Sequence, residues 1–191
     1  MSHGFFYFSI STSKTIFMNH TTNKILFVTL LILIGFSNSS FSGSWENEIE
    51  VRNESNYITF SIALFDFIQN SNSAIEGRTE FRFYRASIPV KPLSGIMANS
   101  DGGLFLYVGL LYDIPVSTFL YVTPSFSPGI YYKSSSKELG FALNFRSQLE
   151  ISVKFKNNFR FGVSFNHISN GTMGKINPGV ESLALSAQFP L

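Results

Sequence analysis

The sequence contains no cysteine, which excludes disulfides, thiolate nucleophiles and cysteine metal ligands and fits a periplasmic route without requiring one. Charge is also scarce. Asp, Glu, Lys and Arg make up 14% of the 191 residues, against about 25% in ordinary soluble domains. A net charge of +2, with no Lys/Arg stripe, excludes a nucleic-acid partner. The three histidines, His3, His20 and His167, are too few and too scattered for a histidine metal site, so no metal and no cofactor are expected. Past Phe36 no apolar run approaches the ~20 residues of a spanning helix.

What the chain has in excess is aromatic: 16%, with 22 Phe and 8 Tyr. A soluble protein of this size would have to bury most of those rings. A membrane barrel shows them to lipid and sets some at the interfaces, where Trp45 and the tyrosines act as anchors. The length suits one domain.

The N-terminus separates from the rest. Lys24 precedes the apolar run Ile25–Phe36, and small residues follow, with Ser40-Phe41-Ser42 as the expected cleavage site. Basic start, short apolar segment and small-residue exit make a signal-peptide pattern; an uncleaved anchor helix is the alternative. Met18 lies just before the basic start, so residues 1–17 read as an over-extended gene start. Residues 1–42 are assigned to this region and 43–191 to a single β-barrel domain.

From Trp45 onward the pattern is period two. In 141–155, Phe141, Leu143, Phe145, Leu149, Ile151, Val153 and Phe155 take odd positions, with Ser147 the exception, while Asn144, Arg146, Gln148, Glu150, Ser152 and Lys154 take even ones. One face of such a strand is apolar and the other is able to line a polar lumen, where Arg146, Glu150 and Lys154 would form a structural ion network. Apolar runs bounded by turn signals predict eight strands, at about 57–67, 76–86, 92–99, 103–112, 118–131, 141–155, 159–168 and 180–190. The third and fifth are the weakest, the fifth because Pro124 and Pro128 lie inside it. Asp66, Asp101 and Asp113 fall at strand ends and turns. Links after strands one, three, five and seven are the longer ones on average, as in outer-membrane barrels with short periplasmic turns. The expected fold is an all-β, eight-stranded antiparallel transmembrane barrel with both mature ends in the periplasm. A soluble sandwich or lipocalin-like barrel shares the alternation, and parity alone does not separate them.

The chemistry is concentrated in 165–181. His167 and Ser169 are two apart and share a strand face. A serine hydroxyl needs an adjacent base, and imidazole suits that role near neutral pH. Glu181 is available to accept from the other ring nitrogen. His167 and Ser169 share parity with Phe159, Phe161, Val163 and Phe165, and Glu181 with Leu183, Leu185, Ala187 and Phe189. All three then lie on the lipid-facing side at the outer strand ends, where polar groups are costly without a purpose. An acyl-ester hydrolase of the outer leaflet follows, with lipopolysaccharide as the ester-bearing lipid there.

The stretch His167-Ile-Ser169-Asn170, with Asn177-Pro-Gly179 and Glu181, resembles the signature of the lipid A 3-O-deacylases and related acyloxyacyl-hydrolase-type barrels. Asp101-Gly-Gly103, Thr123-Pro-Ser-Phe126 and Pro128-Gly129 look similar too. The resemblance implies Ser169, His167 and Glu181 as the catalytic triad and Asn177 as an oxyanion donor. Gly179, through its backbone, and Asn170 join Asn177 as oxyanion or substrate-binding residues, although shaping the loop is the better reading of the Asn170 side chain. The implied reaction removes an ester-linked 3-hydroxyacyl chain from lipid A, with lipopolysaccharide and the outer membrane as partners and a homodimer left open. The alternatives are an outer-membrane phospholipase and a non-enzymatic structural or adhesive barrel.

Overall fold

Residues 55–84 and 89–191 are described by the structure, a computed structural model. The expected signal region, the start at Met18 and Trp45 lie outside those residues. Among the described residues nine antiparallel strands follow in order: β1 (Tyr57–Phe65), β2 (Ala74–Arg82), β3 (Val90–Asn99), β4 (Leu104–Tyr112), β5 (Ile114–Pro115), β6 (Leu120–Tyr132), β7 (Leu143–Lys154), β8 (Arg160–Ser169) and β9 (Val180–Pro190). β1 pairs with both β2 and β9, and β4 with both β3 and β6, so the ring closes. The two residues of β5 continue the path of β4 along β6 in the same register. The architecture is therefore an eight-stranded antiparallel barrel, as the alternation predicts.

Closure also decides which face points inward. On β8, Arg160, Gly162, Ser164 and Asn166 are buried while Phe161, Val163 and Phe165 are exposed. β7 buries Asn144, Arg146, Gln148, Glu150 and Ser152 and exposes Leu149, Ile151 and Val153. A soluble barrel would show the reverse. A continuous exposed belt of Phe, Leu, Ile and Val far exceeds the apolar patches of soluble monomers, and it is the surface a bilayer requires.

The proline-bearing fifth segment forms the longest strand, β6. Its ladder to β7 is unbroken from Leu120 to Ile130. Its ladder to β4 and β5 is interrupted opposite Pro124 and Pro128, between the pairs Tyr107↔Gly129 and Leu110↔Phe126 and again between Leu111↔Ser125 and Ile114↔Val122. Each proline lacks an N–H, and both gaps fall on one side of the strand. The other ladder carries the strand through.

The lumen is filled by a charge network. Arg82 donates to both Glu150 oxygens (2.8 and 3.0 Å) and to Glu80 (2.8 Å). Arg146 reaches Glu80 (2.6 Å) and the Tyr107 hydroxyl (3.1 Å). Gln188 and Ser186 donate to Glu150, and Ser182 donates to Glu76, which also pairs with Arg78. Buried charges are tolerable only when paired and hydrogen-bonded, and pairing across strands staples the cylinder. Arg146 and Glu150 thus have the structural role expected of them, while Lys154 stays half-buried, with its ammonium over the Tyr121 ring. Connections 66–73, 100–103, 133–142 and 170–179 gather at one end of the barrel; Leu191 and the link 155–159 lie at the other.

Candidate active site

β8 and β9 run side by side, and the loop 170–179 that joins them puts their loop-end positions in register. His167 is the direct partner of Glu181. Nδ1 of His167 lies 3.1 Å from Oε1 of Glu181, with side-chain exposures of 30% and 15%. A carboxylate oxygen can only accept, so in this contact Nδ1 is the donor and Nε2 is the ring nitrogen not engaged by Glu181. Both residues share a strand face with exposed Phe165 and Leu185, so the pair belongs to the outer wall and not to the lumen.

Gly179 completes the wall of this site. Its φ is +65°, and a Cβ there would stand 2.6 Å from Cε1 of His167. Both the backbone conformation and the lack of a side chain are thus needed for the ring to lie against the Pro178–Gly179 segment. Ser169, half-buried, sits on the same face as His167, opposite Phe145. Among the described residues no hydrogen bond joins the Ser169 hydroxyl to the imidazole; catalytic hydrogen bonds often tighten only around substrate.

Asn170 and Asn177 have different surroundings. Asn170 is fully buried, and its Nδ2 donates to the carbonyls of Leu139 and Ile176, both at 2.7 Å. It clamps the loop to its neighbour, in keeping with a loop-shaping side chain. Its backbone N–H donates to Oδ1 of Asn177 at 3.1 Å. That bond orients the exposed Asn177 carboxamide and leaves its Nδ2 as the group able to donate elsewhere. The structure therefore brings His167, Glu181 and Gly179 into contact, sets Ser169 on their face and holds Asn177 through Asn170.

Two neighbours escaped the sequence reading. Ser147 on β7 stands directly opposite His167, on the side away from Glu181, and is exposed. Its signal was the single polar interruption of an apolar alternation. Gln69 donates from Nε2 to the Pro178 carbonyl at 3.0 Å, and no local pattern announces a contact across 109 residues. Towards the barrel middle, Leu149 and Leu183 flank Phe165 as its two register partners. The polar cluster therefore adjoins the apolar belt directly.

Comparison with known proteins bears on the family and the fold. The profile of the family described as lipid A 3-O-deacylase (PagL) matches residues 36–190. The crystal structure of the outer membrane enzyme PagL is similar at a TM-score of 0.59 and 17% identity, over 71% of this chain and 99% of that one. A structure from the de novo design of transmembrane β-barrels is similar at a TM-score of 0.50 and 14% identity, over 72% of this chain and 95% of that one. At such identities the two structures speak for the fold. No curated protein is a match in sequence. The family match spans most of the chain, and with the inverted barrel beneath it the chain belongs to the lipid A 3-O-deacylase (PagL) family, the ester-hydrolysing β-barrels of the outer membrane.

Proposed function

We propose that Ser169 is the nucleophile that removes the 3-O-linked 3-hydroxyacyl chain of lipid A. His167 Nε2 takes the hydroxyl proton as Oγ attacks the ester carbonyl. Glu181 keeps the ring in the tautomer that makes Nε2 basic, and its charge stabilises the imidazolium. The Asn177 carboxamide and the Gly179 N–H are the donors for the tetrahedral oxyanion; one such donor contributes ~2.7–4 kcal/mol in comparable sites. Collapse expels the sugar hydroxyl, which takes the proton from His167. Water, deprotonated by the same imidazole, then releases the fatty acid and restores Ser169.

The observation that carries this reading is the His167–Glu181 pair on the outer wall, 3.1 Å apart and bordering the apolar belt. An imidazole–carboxylate pair placed there serves a substrate held in lipid, because the lumen already has its own ion network. The loop-rich end carrying the site would face the outer leaflet, where lipid A resides. All the residues used come from one chain, so the reading requires no homodimer.

The test is release of 3-hydroxy fatty acid from purified lipopolysaccharide in mixed micelles by the refolded barrel. Wild-type protein should release it and Ser169→Ala should not, with the drop at least on the order of a thousand-fold and the heat-modifiable mobility of the barrel retained. Turnover by a folded Ser169→Ala protein near the wild-type level would remove Ser169 from its role. Lysophospholipid as the product would mark a phospholipase instead.

A further inference from the structure

Across the loop-bearing mouth of the barrel a chain of polar contacts ends at the site. Asp66, buried and at φ 58°, accepts from the Ser71 N–H (2.7 Å), the Ser71 hydroxyl (2.8 Å) and the Asn72 N–H (2.7 Å). This fixes the loop 66–73. Lys137, buried in the loop 133–142, donates from Nζ to Asp66 (2.5 Å) and to Oε1 of Gln69 (2.8 Å). The other end of the Gln69 amide donates to the Pro178 carbonyl. The same loop holds Glu181 by its backbone, through a Phe67 N–H to Glu181 carbonyl bond of 2.9 Å.

The Pro178 carbonyl and the Gly179 N–H belong to one planar peptide unit. Whatever grips the carbonyl therefore sets the direction of the N–H. That N–H has no acceptor among the described residues, and its residue lies against the imidazole. Gln69 is exposed and would be equally well solvated by water, so its engagement at both ends calls for a reason. Its amide supplies an acceptor towards the ammonium and a donor towards the carbonyl at once, and a glutamate or methionine of the same reach does not.

We infer that Gln69 is a positioning residue for the hydrolysis: held by Lys137 and Asp66, it orients the Pro178–Gly179 peptide so that the Gly179 N–H is directed at the developing oxyanion. The inference rests on the proposed role of Gly179 at that site. Gln69 itself touches neither substrate nor imidazole. Its effect is on transition-state geometry, so it belongs in kcat and not in KM.

The experiment compares Gln69→Glu and Gln69→Met with the parent full-length protein, refolded in detergent. The measurements are kcat and KM for release of 3-hydroxy fatty acid from lipopolysaccharide per folded molecule, together with the urea unfolding midpoint. Gln69→Glu keeps an acceptor for Lys137 but has no donor for Pro178; Gln69→Met loses both. Misplacement of a reacting group by an ångström reduces rates up to about a hundred-fold, so both variants should lose on the order of ten- to a hundred-fold in kcat, with KM near the parent value. The Gln69→Glu midpoint should match the parent. A purely structural strut predicts the opposite: parental kcat in folded Gln69→Glu, with loss confined to KM or to the unfolding midpoint of Gln69→Met. That result overturns the inference. If Ser169→Ala is inactive while both Gln69 variants keep parental kcat, the proposed chemistry stands and the inference alone fails. An active Ser169→Ala protein removes the reading beneath it.

Discussion

The lumen and the outer wall both carry carboxylates next to cationic or protonatable partners, under opposite conditions. Inside, Glu150 is met by Arg82, Ser186 and Gln188, and Glu80 by Arg82, Arg146 and Tyr107. Many cross-strand contacts hold each charge, nothing from outside reaches them, and the result is rigidity. On the wall, Glu181 meets His167 through one oxygen, its Oε2 has no partner among the described residues, and the ring stays 30% exposed. An under-committed pair at a lipid boundary adds little to stability and leaves a nitrogen free to accept a proton. On the proposed reading, similar chemistry serves structure on one face and reactivity on the other, divided by the thickness of a single β-sheet.

Glu181→Gln should break the comparison most sharply. The replacement keeps shape and one acceptor oxygen but loses the charge that, on the proposed reading, stabilises the imidazolium. By analogy with the loss of a triad carboxylate, turnover should fall on the order of 10⁴-fold with little change in KM, and stability should stay within about 0.5 kcal/mol. Steady-state release of 3-hydroxy fatty acid at matched folded concentration checks it, and Glu181→Asp should fall between.

Arg82→Met should do the converse. It leaves Glu80 and Glu150 short of a buried partner, which destabilises by about 3–5 kcal/mol. Urea unfolding should show the loss, while the molecules that remain folded keep parental turnover. A drop in turnover per folded molecule would mean the two faces are coupled.

A smaller effect is expected at the mouth. Burial alone raises the Asp66 carboxyl, but donation from Lys137, the Asn72 N–H and Ser71 more than offsets it, holding the group below its usual value. A carboxylate depressed in the folded state contributes stability that is fully present above its unfolded pKa of ~3.9 and is lost as pH falls through the folded value. The urea midpoint of the parent should therefore decline below about pH 4. Asp66→Asn, less stable at neutral pH, should lack that part of the decline.

A small change in turnover is also expected for Gln188→Ala, on the lumen side of the strand that carries Glu181. Loss of its 2.7 Å donation to Glu150 should reduce stability by about 1–3 kcal/mol and leave turnover nearly intact. Turnover damage equal to that of Glu181→Gln would mean that β9 is sensitive throughout and that the face does not matter.

Much of the barrel was open to sequence reasoning because its signals are local. The eight expected segments each overlap one long strand, and their bounds differ by up to about four residues. The doubtful fifth segment shows where such reasoning loses force. Proline argues against a strand in proportion to the hydrogen bonds it removes, and the propensity does not say that both gaps fall on the same ladder. The site divides in the same way. Residue types and spacing singled out His167, Ser169 and Glu181 as candidates, and the family resemblance added Asn177 and Gly179. The left-handed Gly179 against the ring, the fixing of Asn177 by Asn170 and the grip of Gln69 depend on loops whose residues are far apart in the chain.

By itself the sequence determined the alternation, the number of strands and the presence of a serine, a histidine and a carboxylate on one parity class. These follow from the two-residue period of an extended chain, which any short segment expresses alone. Only the tertiary structure decided that the polar class turns inward, that His167 stands directly opposite Glu181, and that Lys137 and Gln69 reach across the mouth to partners 71 and 109 residues away. Register and closure join groups that the chain separates, and no local periodicity encodes which of them will meet.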